Sequence, residues 1–212
     1  MSRWLQNTLP ILAVVALLLI LTMVQRDESP APPSVPGATL LDPPRPLAPF
    51  YLVDQHGVVI DRARLEGRWT LLFFGYTHCL DLCLATLAAL AATQEQLSVT
   101  EAGSEEVQVI FVSIDPARDT SDAIDQYLSR FNSAFVGAVA EPEALAGLAN
   151  QFGVTWRRGS NHQTGDHHPI EHNRTVFVIN PEVQWYASLT PPLEAARLTE
   201  TIRIIRIQDV HN

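Results

Sequence analysis

Cys79 and Cys83 are the only two cysteines in the 212-residue chain, and they stand four positions apart in the stretch Tyr76-Thr77-His78-Cys79-Leu80-Asp81-Leu82-Cys83. A pair this close is a disulfide, a thiol redox couple or part of a metal site. A bridge closing so short a loop stabilises a domain only modestly, so functional use is favoured. Thiolates rather than thiols react and bind metal, and soft sulfur donors select Cu(I) or zinc. Two sulfurs alone leave the site incomplete for either metal. The histidine-rich stretch that contains His162, His167, His168 and His172 offers candidates for a third ligand.

The cysteines need a scaffold, and the flanking pattern supplies one. Trp69 to Gly75 is an unbroken apolar run rich in aromatics, which fits a strand buried on both faces. Leu82 to Leu97 is rich in Ala and Leu, apolar at a 3.6-residue period and free of Gly and Pro, which predicts a helix packed on the sheet. A strand entering a helix through the cysteine loop sets the sulfurs at the helix N-terminus, where unpaired N–H groups and the macrodipole favour thiolate. A spacing of four, with Cys79 still in the loop, lets the two sulfurs converge.

Other segments extend the alternation. Phe50 to Val53, the turn Asp54-Gln55-His56-Gly57 and Val58 to Ile60 read as a hairpin. Val107 to Ile114 is a strand, Ser121 to Phe131 a helix after the capping signals Asp119 and Thr120, and Phe135 to Val139 a short strand. Glu141 to Phe152 is a helix with Pro142 in its first turn, Thr175 to Ile179 a strand ended by Asn180-Pro181, and Val183 to Leu189 its partner. Pro191-Pro192 open a last helix through Ile207. The sum is an α/β, thioredoxin-like three-layer sandwich with a central mixed sheet. In such a sheet the loop entering Thr175 to Ile179 runs beside the cysteine loop, which singles out His172. His162, His167 and His168 are expected to be solvent-exposed or accessory metal collectors.

Trp4 to Val24 carries no charge and, at ~1.5 Å per residue, can cross a ~30 Å hydrocarbon core. Arg3 precedes it and Asp27 and Glu28 follow, which puts the N-terminus in the cytoplasm and exports the rest. No A-x-A-like site follows the apolar run, so an uncleaved anchor is expected over a signal peptide. Eight of the fifteen prolines fall between Gln25 and Pro49, which favours extended polyproline geometry. The expected organisation is therefore a cytoplasmic tip and transmembrane helix over 1–24, a Pro-rich linker over 25–49 and one domain over 50–212. The protein would be single-pass in the inner membrane with its C-terminal domain in the periplasm. A net charge of -9 with 47% hydrophobic and 17% charged residues excludes a disordered chain and a basic nucleic-acid-binding surface.

Phe74-Gly75-Tyr76-Thr77-His78-Cys79-Leu80-Asp81-Leu82-Cys83 resembles the F-G-Y-T-H-C-P-D-x-C signature of the SCO/SenC family, copper-handling proteins that serve cytochrome c oxidase assembly. Val112 to Thr120 resembles the family's D-P-x-R-D-T segment. Glu171-His172, with its nine-residue step to Pro181, resembles the family's metal-binding histidine segment, and the likeness runs from about Phe50 to Ile207. The resemblance implies that Cys79, Cys83 and His172 ligate copper, as Cu(I) and/or Cu(II). It further implies a membrane-tethered periplasmic metallochaperone for the binuclear copper centre of the oxidase, with the copper-bearing subunit as partner. A periplasmic copper donor chaperone could be a second partner.

The chain departs from that pattern at Leu80 and Leu84, where the family usually has proline, and at Glu171 and Asn173. Without the proline ring the loop loses a fixed φ and the ligands lose preorganisation. A thiol–disulfide oxidoreductase that reduces the acceptor's cysteines with Cys79 and Cys83 is the alternative function. Asn173-Arg174 precede Thr175 without the proline such enzymes place there, which favours metal. A copper or redox sensor is a third reading. Asp115, Arg118 and Asp119 read as capping groups and an ion pair beside a strand end. His78 and Asp81 either influence the site from its periphery or face water. Trp69, Trp156 and Trp185 read as core or edge packing.

Overall fold

Seven consecutive residues, Trp69–Gly75, are all buried and form a strand in the middle of an eight-stranded sheet. The computed structural model describes residues 35–79, 81–100, 107–158 and 170–210, all within the unit Ser34–Asn212. In chain order the elements are β1 (Ala38–Pro46), β2 (Leu52–Asp54), β3 (Val59–Ile60), α1 (Arg62–Leu65), β4 (Trp69–Gly75), α2 (Leu82–Thr100), β5 (Val107–Ser113) and α3 (Ser121–Leu128). They continue with β6 (Val136–Val139), α4 (Pro142–Gln151), β7 (Trp156–Arg158), β8 (Ile170–His172), β9 (Val176–Ile179), β10 (Gln184–Leu189) and α5 (Ala195–Val210). The large sheet has the order β1-β10-β9-β4-β5-β6-β2-β3, and β7 and β8 form a second, two-stranded sheet.

The sheet is mixed. β4, β5 and β6 are parallel, with Trp69 opposite Val107 and Gly75 opposite Ser113, whereas β9 and β10 return antiparallel on the other side of β4. Right-handed crossovers in the same direction put α2 and α3 on one face. On that face Phe73 meets Phe111 at 6.2 Å and Phe111 meets Tyr127 of α3 at 6.0 Å. Gly137 of β6 lets α3 lie directly on the sheet, because a Cβ there would come within 2.1 Å of Ile124 Cγ2. On the opposite face Phe74, Phe152, Phe177 and Trp185 pack as an aromatic cluster. Along α2 the buried residues Cys83, Thr86, Leu87, Leu90, Thr93 and Leu97 recur every three or four positions, forming the apolar stripe of a helix packed on a sheet. α5 packs against α2, with the Thr199 hydroxyl donating to Gln96 Oε1 at 2.8 Å. This is the mixed α/β, thioredoxin-like three-layer architecture.

The Pro-rich stretch departs from expectation. Residues 25–49 read as a linker, yet Ala38–Pro46 is the edge strand β1, antiparallel to β10, and Val35 and Leu47 are buried. An edge strand tolerates proline because one row of its N–H groups has no ladder partner. Pro43 and Pro44 fall in the gap between the two paired stretches, Ala38 to Leu40 and Arg45 to Pro46. The small β7–β8 sheet also escaped the pattern, since each strand has three residues. The last helix begins at Ala195 rather than at the proline pair. The expected span Trp4 to Val24 lies outside the described residues, as do Leu80, His162, His167 and His168; among the described residues no helix is long and apolar enough to cross a membrane.

Candidate metal centre

β4 delivers the chain to the site at Gly75. A Cβ at this position would lie 2.7 Å from Phe111 Cε2, 3.1 Å from Phe73 Cε1 and 3.3 Å from Cys83 Sγ. The missing side chain is what allows the Cys83 sulfur to settle over the strand end. The chain then turns, with the Cys79 N–H donating to the Tyr76 carbonyl at 3.2 Å. Cys79 stays in the loop at 8% exposure, and Cys83 sits in the first turn of α2 at 0%. Both are free thiols. His172, the last residue of β8, brings Nε2 to 3.7 Å from Cys83 Sγ. One ligand atom from each of Cys79, Cys83 and His172 lies within 4.8 Å of the others.

The imidazole is oriented from its far side. Nδ1 lies 2.8 Å from the Asn173 carbonyl oxygen, which can only accept, so Nδ1 carries a proton and Nε2 is the nitrogen that faces the sulfurs. The ring packs against Phe73 at 6.2 Å and against the edge of Tyr76 at 6.0 Å. Trp156 pairs with His172 across the small sheet. A shallow depression of about 450 Å³, lined by Thr155, Trp156, Arg157, Glu171 and Asn173, opens beside the ring and leaves it approachable from solvent.

The two thiols are electrostatically unequal. The contact with Cys83 lowers the pKa of Cys79, overcoming the opposing effect of burial, with His172 and the amides of Cys83 and Asp81 adding to the fall. The Cys83 N–H points at Cys79 Sγ over 3.4 Å, so the opening turn of α2 stabilises negative charge there. Cys83 moves the other way: its contact with Cys79, then burial, then the charge on Cys79 hold its proton. Cys79 is thus the thiolate of the pair. Burial, chiefly, raises the Tyr76 phenol, against the lowering effect of the Ile170 amide and with the charges on Cys79 and Cys83 adding to the rise.

Polar ties hold the loop. Asp119, fully buried, accepts from the Thr77 N–H at 3.0 Å, the Thr77 hydroxyl at 2.5 Å and the Ser113 hydroxyl at 2.6 Å. This corrects the expectation of Asp119 as a helix cap, because Thr120 is the cap of α3, accepting from the Ala123 N–H. Arg118 does pair with Asp115. His78 is exposed, 3.7 Å from Asp119 Oδ1 and 3.1 Å from the Thr77 hydroxyl, while the Asp81 side chain faces solvent. The Tyr76 hydroxyl accepts the Ile170 N–H at 3.1 Å. Residue type singles out neither Gly75 nor Tyr76, and it suggests only a cap for Asp119. The Thr77 partner of Asp119 and the Ile170 partner of Tyr76 lie 42 and 94 positions away, and only membership of the two quoted motifs hints at a role.

Two soft sulfurs and an imidazole nitrogen suit Cu(I) and also admit zinc. Structural zinc sites close with four protein ligands, whereas this cluster among the described residues has three. Comparison with known proteins discriminates further. A family model described as SCO1/SenC matches residues 40–206. The mitochondrial SCO2 homolog of Bos taurus is 29% identical over 154 residues, covering 73% of this chain and 57% of that protein. The chain spans about half the length of the curated relatives it matches, with 57%, 40% and 49% for three of them. Among solved structures, apo Sco1 of Thermus thermophilus is similar at a TM-score of 0.69 and 31% identity, over 79% of this chain and 95% of that one. ScoI of Arabidopsis thaliana, solved with copper bound, is similar at a TM-score of 0.69 and 25% identity, over 76% and 98%.

Proposed function

The chain belongs to the SCO1/SenC family, and from that premise we propose that it is a copper metallochaperone whose cargo is held by Cys79, Cys83 and His172. The observation that carries this reading is the convergence of the three donor atoms within 4.8 Å. The set is soft, and Cys79 already carries thiolate. Three protein donors leave room for a thiolate from an acceptor, so transfer is ligand exchange. The family is one of copper-binding cytochrome c oxidase assembly proteins. We assign the acceptor role to the oxidase subunit that bears the binuclear copper centre, and the supply of copper to a periplasmic donor chaperone. An uncleaved anchor at Trp4 to Val24 in the inner membrane would keep the domain on the periplasmic side, where tethering raises its local concentration at the acceptor.

The test is anaerobic titration of the purified protein with Cu(I) beside Cys79→Ser, Cys83→Ser and His172→Ala. One Cu(I) per chain is expected, with binding lost or weakened in all three variants. Failure to bind one Cu(I), or wild-type affinity in His172→Ala, sinks the reading. The second reading, a thiol–disulfide oxidoreductase, is favoured by one observation: two free thiols in contact, one of them held as thiolate. Reductase activity measured on the same samples separates the two, because a redox enzyme tolerates loss of His172 and a metal carrier does not.

A further inference from the structure

His172 reaches the cysteines from outside the large sheet. β7 and β8 have three residues each and, among the described residues, pair as strands only with each other. No ladder of the large sheet therefore sets where His172 stands. Tyr76 does make the connection: its hydroxyl accepts the N–H of Ile170, the first residue of β8, across a sequence separation of 94. Tyr76 and Ile170 are each 5% exposed, so this hydrogen bond is shielded from water. Ile170 and His172, two apart on one strand, lie on the same face. The same tyrosine presents its ring to the imidazole, centroid to centroid 6.0 Å at 78°, and the Arg118 guanidinium carbon stands 6.0 Å from that ring. One side chain, three residues before Cys79, touches both the backbone of the histidine strand and the histidine ring.

We infer that Tyr76 is a positioning residue which sets His172 against the two sulfurs, and that its hydroxyl is the operative group. The inference rests on His172 serving as a copper ligand. Phenylalanine at this position keeps the ring contacts and removes only the acceptor, leaving a buried N–H unsatisfied; that loss falls on β8 rather than on the cysteine loop.

The experiment compares the full chain with Tyr76→Phe in two ways. Without metal, amide hydrogen exchange at Ile170 is expected to rise roughly fivefold or more, as loss of one hydrogen bond predicts, while amides of β4 and β9 keep their rates. With metal, Cu(I) affinity is measured by competition in wild type, Tyr76→Phe, His172→Ala and the double variant. A residue acting through His172 lowers affinity about tenfold in the wild-type background and adds nothing once His172 is gone. An unchanged Ile170 exchange rate, or the same drop in both backgrounds, overturns the inference. Wild-type affinity in His172→Ala refutes the ligand assignment instead, and the exchange measurement still decides the tie. Should Tyr76→Phe fail to fold, the unmodified protein decides: slow exchange at Ile170 supports the tie, and exchange at the rate of an open amide overturns it.

Discussion

Asp119→Ala removes a carboxylate that has no solvent exposure and accepts three hydrogen bonds, from the Thr77 N–H, the Thr77 hydroxyl and the Ser113 hydroxyl. Bonds to a charged acceptor contribute about 1.5–3 kcal/mol each, so their gross worth is about 5–9 kcal/mol. Burying the carboxylate itself costs several kcal/mol, which alanine does not incur. The two hydroxyls can turn elsewhere, whereas the Thr77 amide is left without its acceptor. The net loss is expected at about 2–4 kcal/mol of unfolding free energy, read as a lower urea midpoint at constant slope. Because Thr77 lies two residues before Cys79, Cu(I) affinity should fall about 10–100-fold with all three ligands present. Asp119→Asn keeps an acceptor for the amide and should lose less than half as much on both scales. His78→Ala, which removes an exposed neighbour of Asp119 and of the Thr77 hydroxyl, should change stability by about 1 kcal/mol or less. A loss under about 1 kcal/mol in Asp119→Ala, with copper affinity unchanged, would refute the claim that this carboxylate anchors the cysteine loop.

Two glycines separate packing from site geometry. Gly75→Ala and Gly137→Ala each force a Cβ into a filled space, at 2.7 Å from Phe111 and 2.1 Å from Ile124, and each should destabilise by about 1–3 kcal/mol in denaturant titration. Only Gly75→Ala, whose Cβ also meets Cys83 Sγ at 3.3 Å, should weaken Cu(I) binding. The cysteine pair makes stability depend on pH. The lowered Cys79 gives stability that is fully present near the ordinary thiol value of 9.0 and is lost as the pH falls, because the unfolded chain takes up the proton. The raised Cys83 gives stability present below its ordinary value of 9.0 and lost as the pH rises toward its folded value. Unfolding curves from mildly acidic to alkaline pH should show this contribution peaking near 9, with its acidic limb lost in Cys79→Ser and its alkaline limb reduced to what burial of Cys83 supplies, while thiolate absorbance reports one thiolate per chain at neutral pH.

Local pattern carried the central part of the fold. The strand Trp69–Gly75 and the start of the helix at Leu82 agree with the apolar run and the 3.6-residue period, because a strand buried on both faces and a helix with one buried stripe leave distinct signatures. The gathering of Cys79, Cys83 and His172 was also anticipated from topology and resemblance. What stayed hidden depends on distant partners. Ala38–Pro46 becomes a strand only because β10 supplies a ladder, and proline content outweighed that in any local reading. The roles of Asp119 and Tyr76 depend on residues 42 and 94 positions away, beyond the reach of periodicity or capping rules. Local pattern puts His172 in a loop rather than at the end of β8, because three-residue strands are too short for alternation to register.

Cys83 occupies the first rung of the buried stripe on α2, above Thr86, Leu87, Leu90, Thr93 and Leu97. The forces that dock the helix are therefore the forces that place this sulfur, and it cannot leave its position without undocking the first turn. Cys79 and His172 are held by hydrogen-bond ties, through Thr77 and Asp119 on one side and Tyr76 and Ile170 on the other. The donor set thus combines one sulfur fixed by core packing with two donors fixed by hydrogen-bond ties. In the proposed copper carrier, breaking hydrogen bonds would free Cys79 or His172, whereas freeing Cys83 would require the helix to undock.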